Sequence, residues 1–270
     1  MKFLRLSILL VAIAGWLPGL SSETASAQVK TYQQMSLAER GAFVSEQARR
    51  VSLELAGREY KFTPAFEAEI QRSVDYYARR IGNGGGDNLG KGEARFIFER
   101  AQTVAPTIAG IFRAQNVSPL IGIYLPFIES EYVNIQTPNE AGSVGMFQFT
   151  LKTGEHYGLT GNDFLDVPKS ADAAARYIAG SLKTFQDDPM KEALAILSYN
   201  RGAGNVQRDL TTFTSGRDAC SICTLTQQRA KMDANFQKEN VYYVPRFFAA
   251  AIVGENPQAF GLQVAPLSSL

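Results

Sequence analysis

The sequence predicts an all-α fold on three observations. Apolar residues recur at helical spacing along nearly the whole chain. No sustained run of alternating β-branched residues appears. The pairs Thr63-Pro64, Ser118-Pro119 and Asp188-Pro189 join a capping residue to a proline, the pattern that opens helices.

Residues 1–27 read as a cleavable export signal. Lys2 and Arg5 give a positive start, Leu6 to Leu20 an apolar stretch, and Ala25-Ser26-Ala27 a small-residue cleavage site. The stretch is broken by Gly15, Pro18 and Gly19 and is short for a span that needs about 20 apolar residues, so a periplasmic protein is expected in preference to one held by an uncleaved anchor. Amphipathic helices are expected over 35–57 and 63–81, and the glycine-rich stretch 82–92 forms a loop. A helix over 94–115 follows, then one opened by Ser118-Pro119 that carries Glu129. Pro126 should kink this helix, because its ring crowds the Gly122 carbonyl. Glycines between 138 and 162 imply turns. Ser170 is expected to cap a helix through Phe185, and Asp188-Pro189 to open one through Asn200 that stops at Gly202 and Gly204. A last helix should run from about Glu239 to Val253, with only a short tail, 263–270, at the end.

The chain of 270 residues carries a net charge of +1, and losing Lys2, Arg5 and Glu23 with the signal would bring it to zero. A nucleic-acid partner would call for a basic bias, so none is expected. Gly85, Gly90 and Lys91 come near a phosphate-cradling pattern. The next residue is Gly92, without a hydroxyl for magnesium, and no strand precedes the loop, which argues against a nucleotide. Cys220 and Cys223 are spaced as Cys-Ser-Ile-Cys; export favours a small disulfide-closed loop. A metal site would need more ligands than one histidine and two cysteines, and a redox role would come with a βαβ context that is absent. No cofactor or metal is therefore expected.

Glu129 is the candidate catalytic group. It closes the apolar run 119–128, where desolvation disfavours its ionised form and raises its pKa toward a value suited to proton donation at neutral pH. Cleavage of a glycosidic bond needs such an acid. His156 is the sole histidine, and Ser143 is offset from nucleophile-elbow spacing, so histidine-based serine hydrolysis is disfavoured. A two-carboxylate glycosidase is disfavoured as well: on a helix, Glu129 and Glu131 would point to nearly opposite faces.

Four blocks extend this reading. They are Leu125 to Tyr132 around Glu129-Ser130, Gly142 to Gln148 with Gly145, Ala195 to Val206 with Tyr199-Asn200, and Glu239 to Pro245 with Tyr243. In this order they resemble the motifs of the soluble-lytic-transglycosylase family, over about residues 118–262 and closest to its membrane-bound type D branch. The resemblance implies a lysozyme-like catalytic domain preceded by a helical region, 28–117, that matches only loosely. It further implies a peptidoglycan glycan strand as partner and a single catalytic Glu129, acid then base, that cleaves the β-1,4 bond between N-acetylmuramic acid and N-acetylglucosamine with 1,6-anhydro ring closure. Ser130, Gly145, Gln148, Tyr199, Asn200, Glu239 and Tyr243 are the implied substrate-binding residues. Asn139, Thr150, Leu151 and Arg201 depart from the family pattern and bear on the shape of the sugar subsites. Alternative readings are a wall-binding or assembly protein without turnover, a lysozyme-type hydrolase, or an enzyme serving a secretion or conjugation machine.

Overall fold

The computed structural model describes residues 30–215 and 218–270; the expected export signal lies outside the described residues. Among the described residues there are ten α-helices and one ladder of two-residue strands, an all-α, lysozyme-like architecture. The helices are α1 (Leu37–Ala56), α2 (Pro64–Arg80), α3 (Arg95–Ala114), α4 (Pro119–Ser130), α5 (Leu151–His156), α6 (Val167–Thr184), α7 (Lys191–Arg201), α8 (Ala203–Phe213), α9 (Ser221–Gln227) and α10 (Val241–Glu255). Strands β1 (Ser143–Val144) and β2 (Phe149–Thr150) pair antiparallel.

Two helices form the centre. α4 and α10 are apolar almost all round, and in each nearly every residue is buried, as expected of helices that other helices surround. α10 packs on α2, α4, α1 and α7, while α3 lies between α4 and α6. The amino-terminal helices share this core: Tyr77 of α2 and Phe98 of α3 meet Phe127 of α4 edge-on, at centroid distances of 5.3 and 6.0 Å. The tail is docked too. Leu267 is buried, and the Ser268 hydroxyl donates to Glu255.

Local chemistry accounts for the boundaries. Ser36 and Glu39 exchange side-chain and backbone hydrogen bonds across the first turn of α1, and Thr63 accepts from the Phe66 amide ahead of α2. α6 starts earlier than expected. Asp166 caps it by accepting from the Lys169 amide at 3.0 Å, and Ser170 is already inside, its hydroxyl turned back to the Asp166 carbonyl. α7 starts later, because Asp188 accepts from the Met190 amide at 2.7 Å and makes a turn of the residues before it. Gly202, at φ +83°, ends α7 as expected. Gly204 does not stop the chain but lies within α8, a helix that the sequence reading did not anticipate. α4 continues through Pro126 to Ser130 as one helix.

The tight crossing of α3 and α4 depends on Gly122. A methyl group there would come within 2.6 Å of the Phe112 ring, whereas one on Gly110, exposed on α3, would meet nothing within 4 Å. Gly122→Ala should therefore destabilise the fold by about 1–3 kcal/mol through overpacking, and Gly110→Ala should stabilise it by about 0.5–1 kcal/mol through helix propensity. Urea unfolding of the two variants checks the opposite signs.

Candidate active site

Glu129 sits in the last turn of α4, where the helix dipole opposes negative charge. The helix ends one residue later, at Ser130, because Glu131 and Tyr132 adopt left-handed φ values of 51° and 61°, a conformation costly for side-chain-bearing residues. Neighbouring elements hold that turn. Arg80 of α2 grips the Glu131 carboxylate with Nη1 and Nη2 at 2.5 and 2.9 Å, both side chains being buried. Arg100 of α3 donates to the Glu131 carbonyl at 2.8 Å, and the Tyr132 hydroxyl donates to the Ile123 carbonyl. The glycine-rich loop joins in through the Gly90 amide, which donates to Glu131 at 3.2 Å. Glu131 is thus separated from Glu129, as expected, though by a left-handed cap and an ion pair and not by helical periodicity.

The Glu129 carboxyl is half-buried, and burial raises its pKa from an ordinary 4.5 to about 7. The Tyr243 hydroxyl, donating to Oε1, and the Arg246 guanidinium favour the charged form and hold the rise back, while Glu239 adds to it. Tyr243 itself is buried in α10, with its own pKa pushed well up, first by burial and then by Glu129. The two central helices thereby bring the acid of one against the hydroxyl of the other.

Two lobes of a cleft meet at this carboxyl. One, of about 670 Å³, runs along the β turn and α7 and is lined by Asn139, Gln148, Tyr199, Asn200 and Tyr243 among others. The second, of about 610 Å³, runs along α2 and the glycine-rich loop, past Tyr76, Leu89, Gly90 and Tyr242. Ile128, Glu129, Glu239 and Arg246 line both lobes. The region 28–117 therefore builds one wall of the cleft through α2 and the glycine-rich loop.

The expected substrate residues separate into cleft and support. Gln148, Tyr199, Asn200, Glu239 and Tyr243 line the cleft. Ser130 and Gly145, also expected to bind substrate, are buried and line neither lobe. The Ser130 hydroxyl, 1% exposed, donates to the Met146 carbonyl at 2.7 Å and ties α4 to the turn. Gly145 is at φ +80°, and a Cβ there would lie 2.3 Å from the Phe164 carbonyl oxygen, so both conformation and space require glycine. Within the cleft, Gln148 donates to the Gly145 carbonyl and accepts from Asn139, while Tyr199 donates to the Phe147 carbonyl at 2.9 Å. Asn200 donates to Glu239 at 2.9 Å and accepts from Asn240.

Two of the positions that depart from the family pattern, Asn139 and Arg201, have structural roles. Asn139 accepts from the amides of Ala141 and Ser143 and shapes the loop before β1. Arg201 points away from the cleft, buried, and grips Asp209, Asp233 and Asn240, which joins α7, α8 and the turn before α10 behind the Asn200–Glu239 pair. Cys220 and Cys223 are disulfide-bonded at the start of α9. Sequence reading missed Arg80, Arg100 and Arg246. Their partners are far away in the chain, and no local pattern marks them.

Residues 110–219 match the family model described as the Transglycosylase SLT domain, a span from the end of α3 through α8. No curated protein matches the chain. Glu129, Gln148, Tyr199 and Asn200 fall within the matched span; Glu239, Tyr243, Arg246 and the α2 wall fall outside it.

Folding raises the Glu129 pKa, so the native state holds this proton more tightly than the unfolded chain does. The resulting stability is present in full below about pH 4.5 and is lost as pH rises to about 7. Glutamine carries no such proton. The melting temperature of Glu129→Gln relative to wild type should accordingly be higher at pH 8 than at pH 4.5, as calorimetry at the two pH values would show; an unchanged difference would contradict the desolvated acid.

Proposed function

Since residues 110–219 are a transglycosylase SLT domain, we propose that the protein is a peptidoglycan lytic transglycosylase, of the membrane-bound type D kind, that works in the periplasm with Glu129 as its only acid and base. The observation that carries this reading is the position of Glu129: a desolvated carboxyl, its pKa near neutrality, where two lobes of an open cleft join. A polymer lying across both lobes has one linkage next to that carboxyl.

The proton of Glu129 passes to the oxygen of the β-1,4 bond between N-acetylmuramic acid and N-acetylglucosamine. As the bond breaks, its electrons stay with the departing sugar, and the carbonyl oxygen of the muramoyl N-acetyl group stabilises the positive charge at the anomeric carbon. Glu129, now ionised, accepts the proton of the muramoyl 6-hydroxyl, whose oxygen attacks the same carbon and closes the 1,6-anhydro ring. The proton returns to where it began, and no water is consumed. Tyr243 donates to Glu129 and stabilises the ionised stage between the two transfers. A second carboxylate is not needed. Glu131 is engaged with Arg80, and Glu239 accepts from Asn200. Gln148, Tyr199 and Asn200 would contact the sugars of the turn-side lobe, where amide and phenol groups suit hydroxyl and acetamido partners.

Digestion of purified sacculi followed by mass spectrometry should give 1,6-anhydromuropeptides. Reducing ends alone would mean lysozyme-type hydrolysis, and binding without products a wall-binding protein. Glu129→Gln should slow release by roughly 10²–10⁴, and full-speed digestion by this variant would remove Glu129 from the mechanism. The acid must start protonated, so kcat/KM for wild type should fall as pH rises past about 7. In Tyr243→Phe the loss of a donor that favours the charged form should move that fall to higher pH; a shift to lower pH would contradict the assigned role.

A further inference from the structure

Arg246 lines both lobes of the cleft and, among the described residues, has no hydrogen bond or ion pair. It follows Tyr243 by one turn of α10, its guanidinium carbon 5.9 Å from that ring's centroid. Its Nε is buried without a hydrogen bond, and among the described residues its guanidinium makes no ion pair. Leaving such a donor unsatisfied is costly, and a guanidinium is the group best shaped to take a carboxylate in two parallel hydrogen bonds. The charges around it leave it available. Of the acidic groups lining the α2-side lobe, Glu69 is paired with Arg72 and Arg229, Glu131 with Arg80, Glu239 accepts from Asn200 and Glu129 from Tyr243. Lys238, on the rim of the same lobe, also has no ion pair among the described residues. Glu239 keeps its negative charge, since its donor Asn200 is neutral, so with Glu69 and Glu131 held in ion pairs and Glu129 protonated the lobe retains two cations, Arg246 and Lys238, against one anion.

We propose that Arg246 binds a carboxylate carried by the muramoyl substituent of the glycan, and so sets the register in which the muramoyl sugar meets Glu129. This rests on the peptidoglycan reading above. The carboxylate has two possible sources: the stem peptide, on intact strands, or the lactyl group itself, on strands stripped of peptide. Glucosamine units carry neither, which makes a carboxylate anchor a means of telling the two alternating sugars apart.

The test uses Glu129→Gln protein, in which turnover is slow enough for strand binding to be measured, and compares it with Glu129→Gln/Arg246→Met and Glu129→Gln/Arg246→Lys. Affinity is measured calorimetrically for peptide-bearing strands and for peptide-stripped strands, each as prepared and after carbodiimide coupling to methylamine, which neutralises the carboxylates. Removing the guanidinium should weaken binding about ten- to a hundredfold, with lysine recovering part of the loss. Methylamidation should weaken the Arg246-containing protein to a similar degree and leave the methionine variant unchanged. A loss confined to peptide-bearing strands assigns the stem-peptide carboxylate, and one confined to stripped strands the lactyl carboxylate. Independent, additive losses from mutation and amidation, or no loss at all, would overturn the proposal. Failure of Glu129→Gln protein to bind any strand would instead overturn the peptidoglycan reading. Circular dichroism and melting curves of the variants separate a binding defect from a folding defect.

Discussion

A carboxyl group placed where water is scarce resists ionisation, and the chemistry inferred here depends on holding one there. α4 supplies the conditions. It is buried on nearly every side, so its last turn reaches the cleft from within the core, and Glu129 lies there half-buried, lining both lobes. The opposing wall is α10, equally buried, whose Tyr243 donates to the acid. The distance between acid and hydroxyl is thus governed by how two core helices pack. Cores are close-packed and deform little, which makes them a firmer support for a proton-transferring group than a loop would be.

The abrupt end of α4 is the second requirement. A helix that continued past Ser130 would carry the chain onward along the same axis. Two consecutive left-handed residues turn the chain away instead, and their strain persists because Arg80, Arg100 and the Gly90 amide hold Glu131 from α2, α3 and the glycine-rich loop. The amino-terminal region is thereby integral to the site in two ways. It stabilises the turn after the acid, and it forms the wall of one lobe. On the other side of the cleft Arg201 performs a comparable service, joining α7, α8 and the turn before α10 so that Asn200 and Glu239 remain paired.

Some residues of the motif blocks are buried in support of the cleft and do not line it. Ser130 and Gly145 stand inside the blocks that resemble the family, yet one ties α4 to the β turn and the other lets the backbone pass Phe164. Both residues serve the local geometry around the acid. Arg246 is the converse case, a cleft residue one position beyond the last block whose Nε has no hydrogen-bond partner among the described residues.

Much of the fold was legible in the chain because helix formation is local. Apolar period, capping side chains and proline at the first turn placed α1 to α4 and α10 within a few residues of their observed limits. Errors came where two local signals competed, as at Asp166 against Ser170, or where Gly204 read as a stop within a helix. Glu129 was legible for the same reason: an acid at the end of an apolar run is a pattern in one segment. The partners of the site were not. Arg80 and Glu131 stand 51 positions apart, Glu129 and Tyr243 114, and nothing in either neighbourhood specifies the other. Most helical segments, and the acid at the end of an apolar run, can be read in the chain alone; which side chains face that carboxyl follows from the crossing of helices, settled by packing summed over the whole core and not by any stretch of chain.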